Sequence, residues 1–141
     1  MKLAILTSGL VLLSAGLATP AAAQDLTLSL STREAGGRIA IAVYRDADSF
    51  RRSETPVVSR MVARTGPTTT VVIPGLAPGR YAVAAFHDTD GNGDLTLWPI
   101  GLPREAYGFS RDARGRFGPP SFAAAAFDLP ASGSRQTFRL H

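Results

Sequence analysis

Side chains with oxygen ligands recur at alternate positions in the middle of the chain. Asp88, Asp90 and Asn92 have this spacing, and Gly93 comes directly after them. The spacing matches the first half of a calcium-binding loop, because a hard cation requires several oxygens at about 2.3–2.6 Å that converge from a short stretch of backbone. Glycine permits the sharp turn that directs the next carbonyl inward. The sequence therefore predicts a calcium site whose ligands are Asp88, Asp90, Asn92, Asp94 (through its backbone carbonyl) and Thr96.

The second half of this loop departs from an EF-hand. The twelfth position, where an EF-hand carries a bidentate glutamate, is Pro99, and the flanking segments have strand-like patterns. A complete set of ligands would need a further carboxylate, for which Glu105 and Asp112 are the candidates nearest in sequence. Two alternatives stay open. One is a polar turn that binds nothing, since Asp, Asn and Gly all favour turns, and the other is a site for a different metal.

A second group of side chains combines arginines with aromatic rings between positions 104 and 117. Arginine can bind carboxylate or phosphate through two parallel hydrogen bonds, and an exposed ring can stack on a sugar. The pattern therefore indicates a candidate surface for an anionic glycan or a lipid headgroup. The alternative, which we favour, is a loop held by arginine–carboxylate pairs with its rings packed inward. The residues of this candidate surface are Arg104, Glu105, Tyr107, Arg111, Arg114 and Arg116.

Few residues point to catalysis. Ser110 lacks the G-x-S-x-G turn of many serine hydrolases. Glu105 could belong to a carboxylate pair for glycoside cleavage, but this would require an open cleft with a second acid or with His87. His87 by itself indicates a structural or surface histidine. We therefore expect no enzyme activity, and a small hydrolase is the least favoured interpretation.

The segments that must position these residues have the pattern of β-strands. Apolar and polar residues alternate with a period of two in seven segments, with turn residues between them. This predicts an all-β fold, an antiparallel immunoglobulin-like or transthyretin-like sandwich of about seven strands. Residues 88–122 lack the alternation but contain several aromatic residues, which predicts one long ordered loop. The seven segments are 26–30, 39–44, 57–64, 69–73, 81–86, 123–129 and 135–140.

Local patterns add detail to these segments. Tyr81 follows a Pro-Gly turn and is expected to return its hydroxyl to the backbone, as in the tyrosine corner of Greek-key sandwiches. Val57 and Met61 are predicted to share one face of their strand, and residues 123–129 are predicted to form one continuous strand. A short helical turn is expected around residues 46–52.

The N-terminal segment predicts export. Lys2 precedes a mostly apolar run that ends in small alanines, so residues 1–23 are predicted to be a signal peptide and residues 24–141 a single domain. We expect a periplasmic or extracellular protein with no transmembrane segment in the mature chain. The chain has no cysteine, which excludes disulfides and thiolate metal sites. A formal net charge of +4 is too small to predict nucleic-acid binding.

Four motifs occur together in the second half of the chain. They are His87-Asp88 with an Asn92-Gly93 turn, Gly101-x-Pro103-x-Glu105, Tyr107-Gly108-Phe109-Ser110 and Gly118-Pro119-Pro120-Ser121-Phe122. In this combination the chain resembles a family of exported bacterial proteins known as domain of unknown function 2141, over most of its length from the strand near Ile39. The resemblance implies export and a β-sandwich-like domain, and it supplies no activity, substrate or catalytic residue. The family pattern often has an acidic residue where this chain has Thr96, which weakens the calcium interpretation.

These observations predict an exported, non-catalytic β-sandwich module with a structural or binding role at the cell envelope. Calcium, bound through residues 88–96, is the candidate cofactor. An envelope glycan or another exported protein is the expected partner. The alternative function is binding of an anionic glycan or a lipid headgroup by the arginine-rich surface.

Overall fold

The computed structural model describes residues 23–141, so the predicted signal peptide lies outside the described residues except for its last position. The described chain forms eight strands, two short helices and a 3₁₀ turn at Ser110–Asp112. The strands are β1 (Gln24–Ser31), β2 (Arg38–Tyr44), β3 (Val58–Ala63), β4 (Thr68–Leu76), β5 (Gly79–Asp88), β6 (Tyr107–Phe109), β7 (Phe127–Leu129) and β8 (Ser134–Arg139). The helices are α1 (Ala47–Arg52) and α2 (Phe122–Ala125). None of the helices in residues 23–141 has the length and apolar character needed to cross a membrane.

The strands form two sheets, which confirms the predicted all-β sandwich. The smaller sheet has the order β4-β1-β8, and the larger has the order β3-β2-β5-β6, with β7 paired to another part of β5. Most pairs are antiparallel, as predicted, whereas β1 and β8 form a parallel pair that the sequence did not predict. The count of eight strands agrees with the prediction of about seven. The finer likeness to immunoglobulin or transthyretin sandwiches stays a prediction.

The main core lies between the two sheets. Leu26, Leu28 and Leu30 alternate along β1 and are fully buried, which is the period-two pattern expected of a strand with one face on the core. Ile39, Ile41 and Val43 of β2 are buried in the same apolar cluster. Burial of such side chains stabilises the fold by about 1.5–3 kcal/mol for each one.

A second apolar cluster, which the alternation of apolar residues does not predict, lies on the outer face of the larger sheet. Phe50 of α1 is buried there, with its ring in edge-on contact with Tyr44, Phe109 and Phe122 at centroid distances of 5.5–6.0 Å. Ala82, on the sheet itself, has a small side chain that lets this layer approach the strands closely. The predicted helical turn is confirmed as α1, which is capped at its start by the Asp46 carboxylate accepting from the Ser49 N–H at 2.9 Å.

One strand prediction was wrong in detail. Residues 123–129 do not form one strand, because α2 occupies the first part and β7 only Phe127–Leu129. Ser121 caps this helix by accepting from the Ala124 N–H at 3.2 Å, and its alanines favour helix over strand. The prediction that Val57 and Met61 share one face is confirmed: both are exposed, whereas Val58 and Val62 of β3 pack on the core.

The long segment between residues 88 and 122 is more structured than one loop. It contains β6 and the 3₁₀ turn, so the irregular part that follows β5 ends at residue 106. Ser110 holds this segment in place, because its hydroxyl accepts from the Val83 N–H at 2.9 Å and donates to the Ala125 carbonyl at 2.6 Å. The Ser110 side chain is fully buried and therefore links the 3₁₀ turn to β5 and α2.

The tyrosine corner is confirmed and supplies a stability test. The Tyr81 hydroxyl donates to the Ala77 carbonyl at 2.6 Å, and the side chain is only 2% exposed. We expect Tyr81→Phe to lower the free energy of unfolding by about 1–2 kcal/mol, because it leaves that carbonyl without its partner. Urea unfolding measures the loss. Tyr107→Phe, at a more exposed tyrosine, should change stability by less than about 0.5 kcal/mol, and an equal loss in both variants would contradict this role of the Tyr81 hydroxyl.

Candidate functional site

The candidate site begins where β5 ends. Asp88 is the last residue of β5, and the strand register places it opposite Arg38, the first residue of β2. The Arg38 guanidinium lies 3.6 Å from the Asp88 carboxylate and donates to the Gly91 carbonyl at 3.2 Å. Pairing of β2 with β5 therefore fixes both the first carboxylate of the loop and a cation beside it.

Asp88 organises the turn that follows. Its carboxylate is fully buried and accepts hydrogen bonds from the Gly91 N–H at 2.8 Å and the Gly93 N–H at 3.1 Å. Both glycines have positive φ angles, 74° and 82°, which side chains with a Cβ rarely adopt. The loop therefore wraps around the first carboxylate, with glycine at the positions where the backbone must reverse.

The side chains of Asp90 and Asn92 also accept hydrogen bonds from within the loop. Asp90 accepts from the Asn92 N–H at 3.1 Å and from the Thr96 hydroxyl at 2.8 Å, while the Asn92 amide oxygen accepts from the Asp94 N–H at 2.9 Å. The Thr96 hydroxyl and then the Asn92 N–H hold the pKa of Asp90 below its usual range. Asp90 is thus a carboxylate at neutral pH, the form in which oxygen ligands bind a cation.

Glu105 closes the loop from a distant position in the sequence. It is 6% exposed, and its carboxylate accepts from the Thr89 N–H at 2.9 Å and from the Thr96 N–H at 3.0 Å. The Arg104 N–H donates to the Thr96 carbonyl at 2.8 Å, which aligns the returning chain with the outgoing one. The backbone N–H groups of Thr89 and Thr96 are therefore both hydrogen-bonded to the same carboxylate, that of Glu105.

Three carboxylates meet at this point. One oxygen each of Asp88, Asp90 and Glu105 lie within 4.8 Å of one another. Arg38 compensates part of their negative charge, although its side chain is half exposed. Close carboxylates repel, and a bound cation or additional hydrogen bonds offset that repulsion. The arrangement can therefore hold a divalent cation or exist as a turn stabilised by N–H donors.

Of the five predicted metal ligands, Asp88 and Asp90 belong to the carboxylate cluster, and Asn92 and Thr96 are hydrogen-bonded to Asp90. Asp94 is exposed in the loop, and only its backbone was expected to contribute. Of the two candidates for the further carboxylate, the structure places Glu105 in the cluster. Asp112 instead accepts from the Arg139 N–H at 2.9 Å, next to β8. Arg38 was not anticipated, because the sequence gives no sign of its register with Asp88.

The residues of the arginine-rich group make separate contacts, except that Tyr107 and Arg114 line one cleft. The Arg104 guanidinium lies 4.6 Å above the Trp98 ring, Arg111 donates to the Ala126 carbonyl at 3.3 Å, and Arg114 contacts His141. Glu105 belongs to the carboxylate cluster. Arg116 is exposed, and Tyr107 lines a shallow cleft of about 150 Å³ together with Arg114 and His141. Pockets for small molecules usually measure about 300–1,000 Å³, so this cleft is small for a glycan.

His87 is a structural residue by its contacts. Its side chain is 1% exposed, and Nε2 donates to the Gly36 carbonyl at 2.7 Å. Nδ1 is buried without a hydrogen-bond partner among the described residues. The imidazole thus ties the loop after β1 to the end of β5, beside the carboxylate cluster.

Comparison with known proteins identifies a family. A search of curated proteins and a search of solved structures each returned no match. The profile of a family described as uncharacterised proteins conserved in bacteria, DUF2141, matches residues 31–137, which include the sandwich from the end of β1 into β8 and the whole candidate site. The chain therefore belongs to the DUF2141 family.

Proposed function

We propose that this protein is an exported, non-catalytic β-sandwich module that binds calcium through the loop between β5 and β6 and acts at the cell envelope. The observation that carries the proposal is the meeting of Asp88, Asp90 and Glu105 within 4.8 Å. Glu105 lies outside the run of residues that first indicated a calcium loop, and it supplies the carboxylate which that run lacks.

The ligand types favour calcium over other cations. Three carboxylates, the Asn92 amide oxygen and the Asp94 backbone carbonyl offer only oxygen, which hard cations prefer. Calcium accepts six to eight oxygens in variable geometry, whereas magnesium requires a near-ideal octahedron at about 2.0–2.1 Å. A loop of mixed backbone and side-chain oxygens suits the first of these ions. Its two positive charges would also compensate the carboxylate charge that Arg38 leaves unbalanced.

A non-catalytic role agrees with the environment of the acids. Both oxygens of Glu105 accept backbone N–H bonds, and the residue is buried beneath the loop. A glycosidase needs two carboxyl groups facing a cleft that admits the sugar. The cleft beside Tyr107 and Arg114 is small and is lined by different residues. Neither feature supports hydrolysis.

Thermal unfolding in chelator, in millimolar calcium and in millimolar magnesium tests the proposal on the protein purified in its exported form. Calcium at a hundred times the dissociation constant of the site stabilises the folded state by about 2.7 kcal/mol. This corresponds to a rise in melting temperature of roughly 10 °C for a domain of this size. We expect that rise with calcium and a much smaller one with magnesium.

Glu105→Gln should abolish most of the calcium response, because it removes one of the three charges while keeping the side-chain shape. Glu54→Gln is the matched control: Glu54 lies after α1, is exposed, and pairs with Arg52 at 3.5 Å. It should respond to calcium like the unaltered protein. Identical melting temperatures in chelator and calcium for the unaltered protein would show that the loop is a hydrogen-bonded turn that does not bind calcium.

A further inference from the structure

A short hairpin projects from the loop between the carboxylate cluster and β6. Leu97 and Pro103 form an isolated antiparallel bridge, and the Trp98 N–H donates to the Leu102 carbonyl at 2.7 Å. The turn closes with the Gly101 N–H donating to the Trp98 carbonyl at 2.8 Å. Residues 97–103, called the apolar hairpin below, therefore have their own backbone hydrogen bonds.

The side chains of the apolar hairpin face solvent. Leu97 and Trp98 are each 51% exposed, Leu102 is 58% exposed, and Ile100 at the turn is 78% exposed. They account for four of the nine large apolar side chains exposed in residues 23–141, within six consecutive positions. Apolar surface grouped in this way is costly to leave in water and marks a binding surface.

The backbone of the hairpin is suited to an environment of low polarity. Unsatisfied N–H and C=O groups make burial in hydrocarbon expensive. Here the internal bonds of Trp98, Gly101 and Leu102 satisfy several of these groups. Pro99 and Pro103 carry no backbone N–H at all. The tip can thus leave water with few backbone groups to desolvate.

The positive charge of Arg104 at the base of the hairpin favours an anionic environment. The Arg104 guanidinium lies 4.6 Å above the Trp98 ring, and the sequence from Leu95 to Arg104 contains no acidic residue. Tryptophan favours the membrane–water interface, where its ring is in the apolar layer and its N–H reaches polar groups. An arginine beside it would lie at the level of the headgroups and favour anionic lipid.

We propose that the apolar hairpin inserts into the interfacial layer of a lipid bilayer that contains anionic headgroups. A membrane fits better than a protein partner, because a stable protein interface buries about 800 Å² on each side, and four partly exposed side chains around a turn offer much less. A bilayer needs no complementary groove, since the tip displaces lipid. This inference does not depend on calcium binding at the neighbouring cluster.

The fluorescence of Trp98, the only tryptophan in the sequence, reports insertion directly. Vesicles of equal parts phosphatidylglycerol and phosphatidylcholine are titrated into the protein in its exported form, in chelator and in calcium. We expect a blue shift of the emission, quenching by brominated lipid chains, and about fivefold weaker binding to phosphatidylcholine alone, as one arginine at the headgroups predicts. Insertion in either buffer supports the proposal. Failure of the calcium melt would leave this result standing.

The double variant Ile100→Ser/Leu102→Ser should bind the anionic vesicles at least tenfold more weakly while melting like the unaltered protein, because both side chains are exposed. Val72→Ser is the matched control, a 53% exposed apolar residue on β4 that should bind as before. Absence of the blue shift in both buffers would overturn the proposal, as would equal binding by the double variant. A concentration-dependent blue shift without vesicles, with a dimer in sedimentation, would assign the hairpin to a second copy instead.

Discussion

Asp88→Ala is expected to lower the free energy of unfolding by about 3 kcal/mol in chelator and to abolish the response to calcium. The reason is that one fully buried carboxylate holds two backbone N–H groups, of Gly91 and Gly93, and lies beside the Arg38 guanidinium. Hydrogen bonds to charged groups contribute about 1.5–3 kcal/mol each, and the alanine leaves both donors and the guanidinium without this partner. The loss corresponds to roughly 10 °C in melting temperature.

Thermal and urea unfolding with and without calcium separate the two roles of Asp88. Asp94→Ala is the matched control, because it removes the same charge from an exposed side chain in the same loop. Asp94 is proposed to offer only its backbone carbonyl, so this variant should keep both stability and the calcium response. An Asp88→Ala protein that melts with the unaltered chain in chelator would show that these hydrogen bonds do not hold the loop in place.

Gly108→Ala is expected to destabilise the fold by about 3 kcal/mol. Gly108 is buried in β6, and a Cβ at this position would collide with the Arg139 backbone carbonyl oxygen and lie 3.1 Å from Leu140 Cδ2. The C-terminal segment passes here because Tyr107 and His141 exchange two backbone hydrogen bonds, at 3.1 and 2.9 Å. A backbone atom yields less readily than a flexible side chain, so the added methyl must separate β6 from this segment.

Urea unfolding measures this loss, and Gly66→Ala provides the control. The nearest atom to a Cβ at Gly66 lies 3.9 Å away, and this glycine does not have a positive φ. Its replacement should leave stability within about 0.5 kcal/mol or raise it slightly, because alanine reduces the freedom of the unfolded chain. Similar stability of the two variants would mean that the C-terminal segment can move away from β6 at little cost.

The candidate calcium site and the apolar hairpin share a structural support. Glu105 accepts from the Thr96 N–H, and Thr96 directly precedes the apolar hairpin, where its carbonyl accepts from the Arg104 N–H. Thr96 thus connects the carboxylate cluster to the base of the apolar hairpin. A cation bound by the carboxylates would also reduce their repulsion of an anionic membrane and so strengthen the binding that the hairpin provides by itself. The vesicle titrations in chelator and in calcium measure this coupling.

Local patterns in the sequence determined much of the fold. The period-two alternation of Leu26, Leu28 and Leu30 placed β1 and its buried face, because side chains of a strand point alternately to its two sides. The Pro-Gly turn before Tyr81 placed the tyrosine corner. Such features depend on a few neighbouring residues, so composition and spacing are sufficient to predict them. The alternation wrongly predicted one strand at residues 123–129. Capping by Ser121 and the preference of alanine for helix favour α2 in the first part of this segment.

The candidate site shows the same difference between features set by neighbouring residues and features set by distant ones. The turn formed by Asp88, Asp90 and Asn92 is predictable from the sequence alone, because these residues contact neighbours within a few positions. The folded chain was needed to show that Glu105 rather than Asp112 joins them, that Arg38 lies beside Asp88, and that the apolar hairpin is exposed. These arrangements depend on strand register and on where the returning chain packs, and both are set by contacts between residues far apart in sequence.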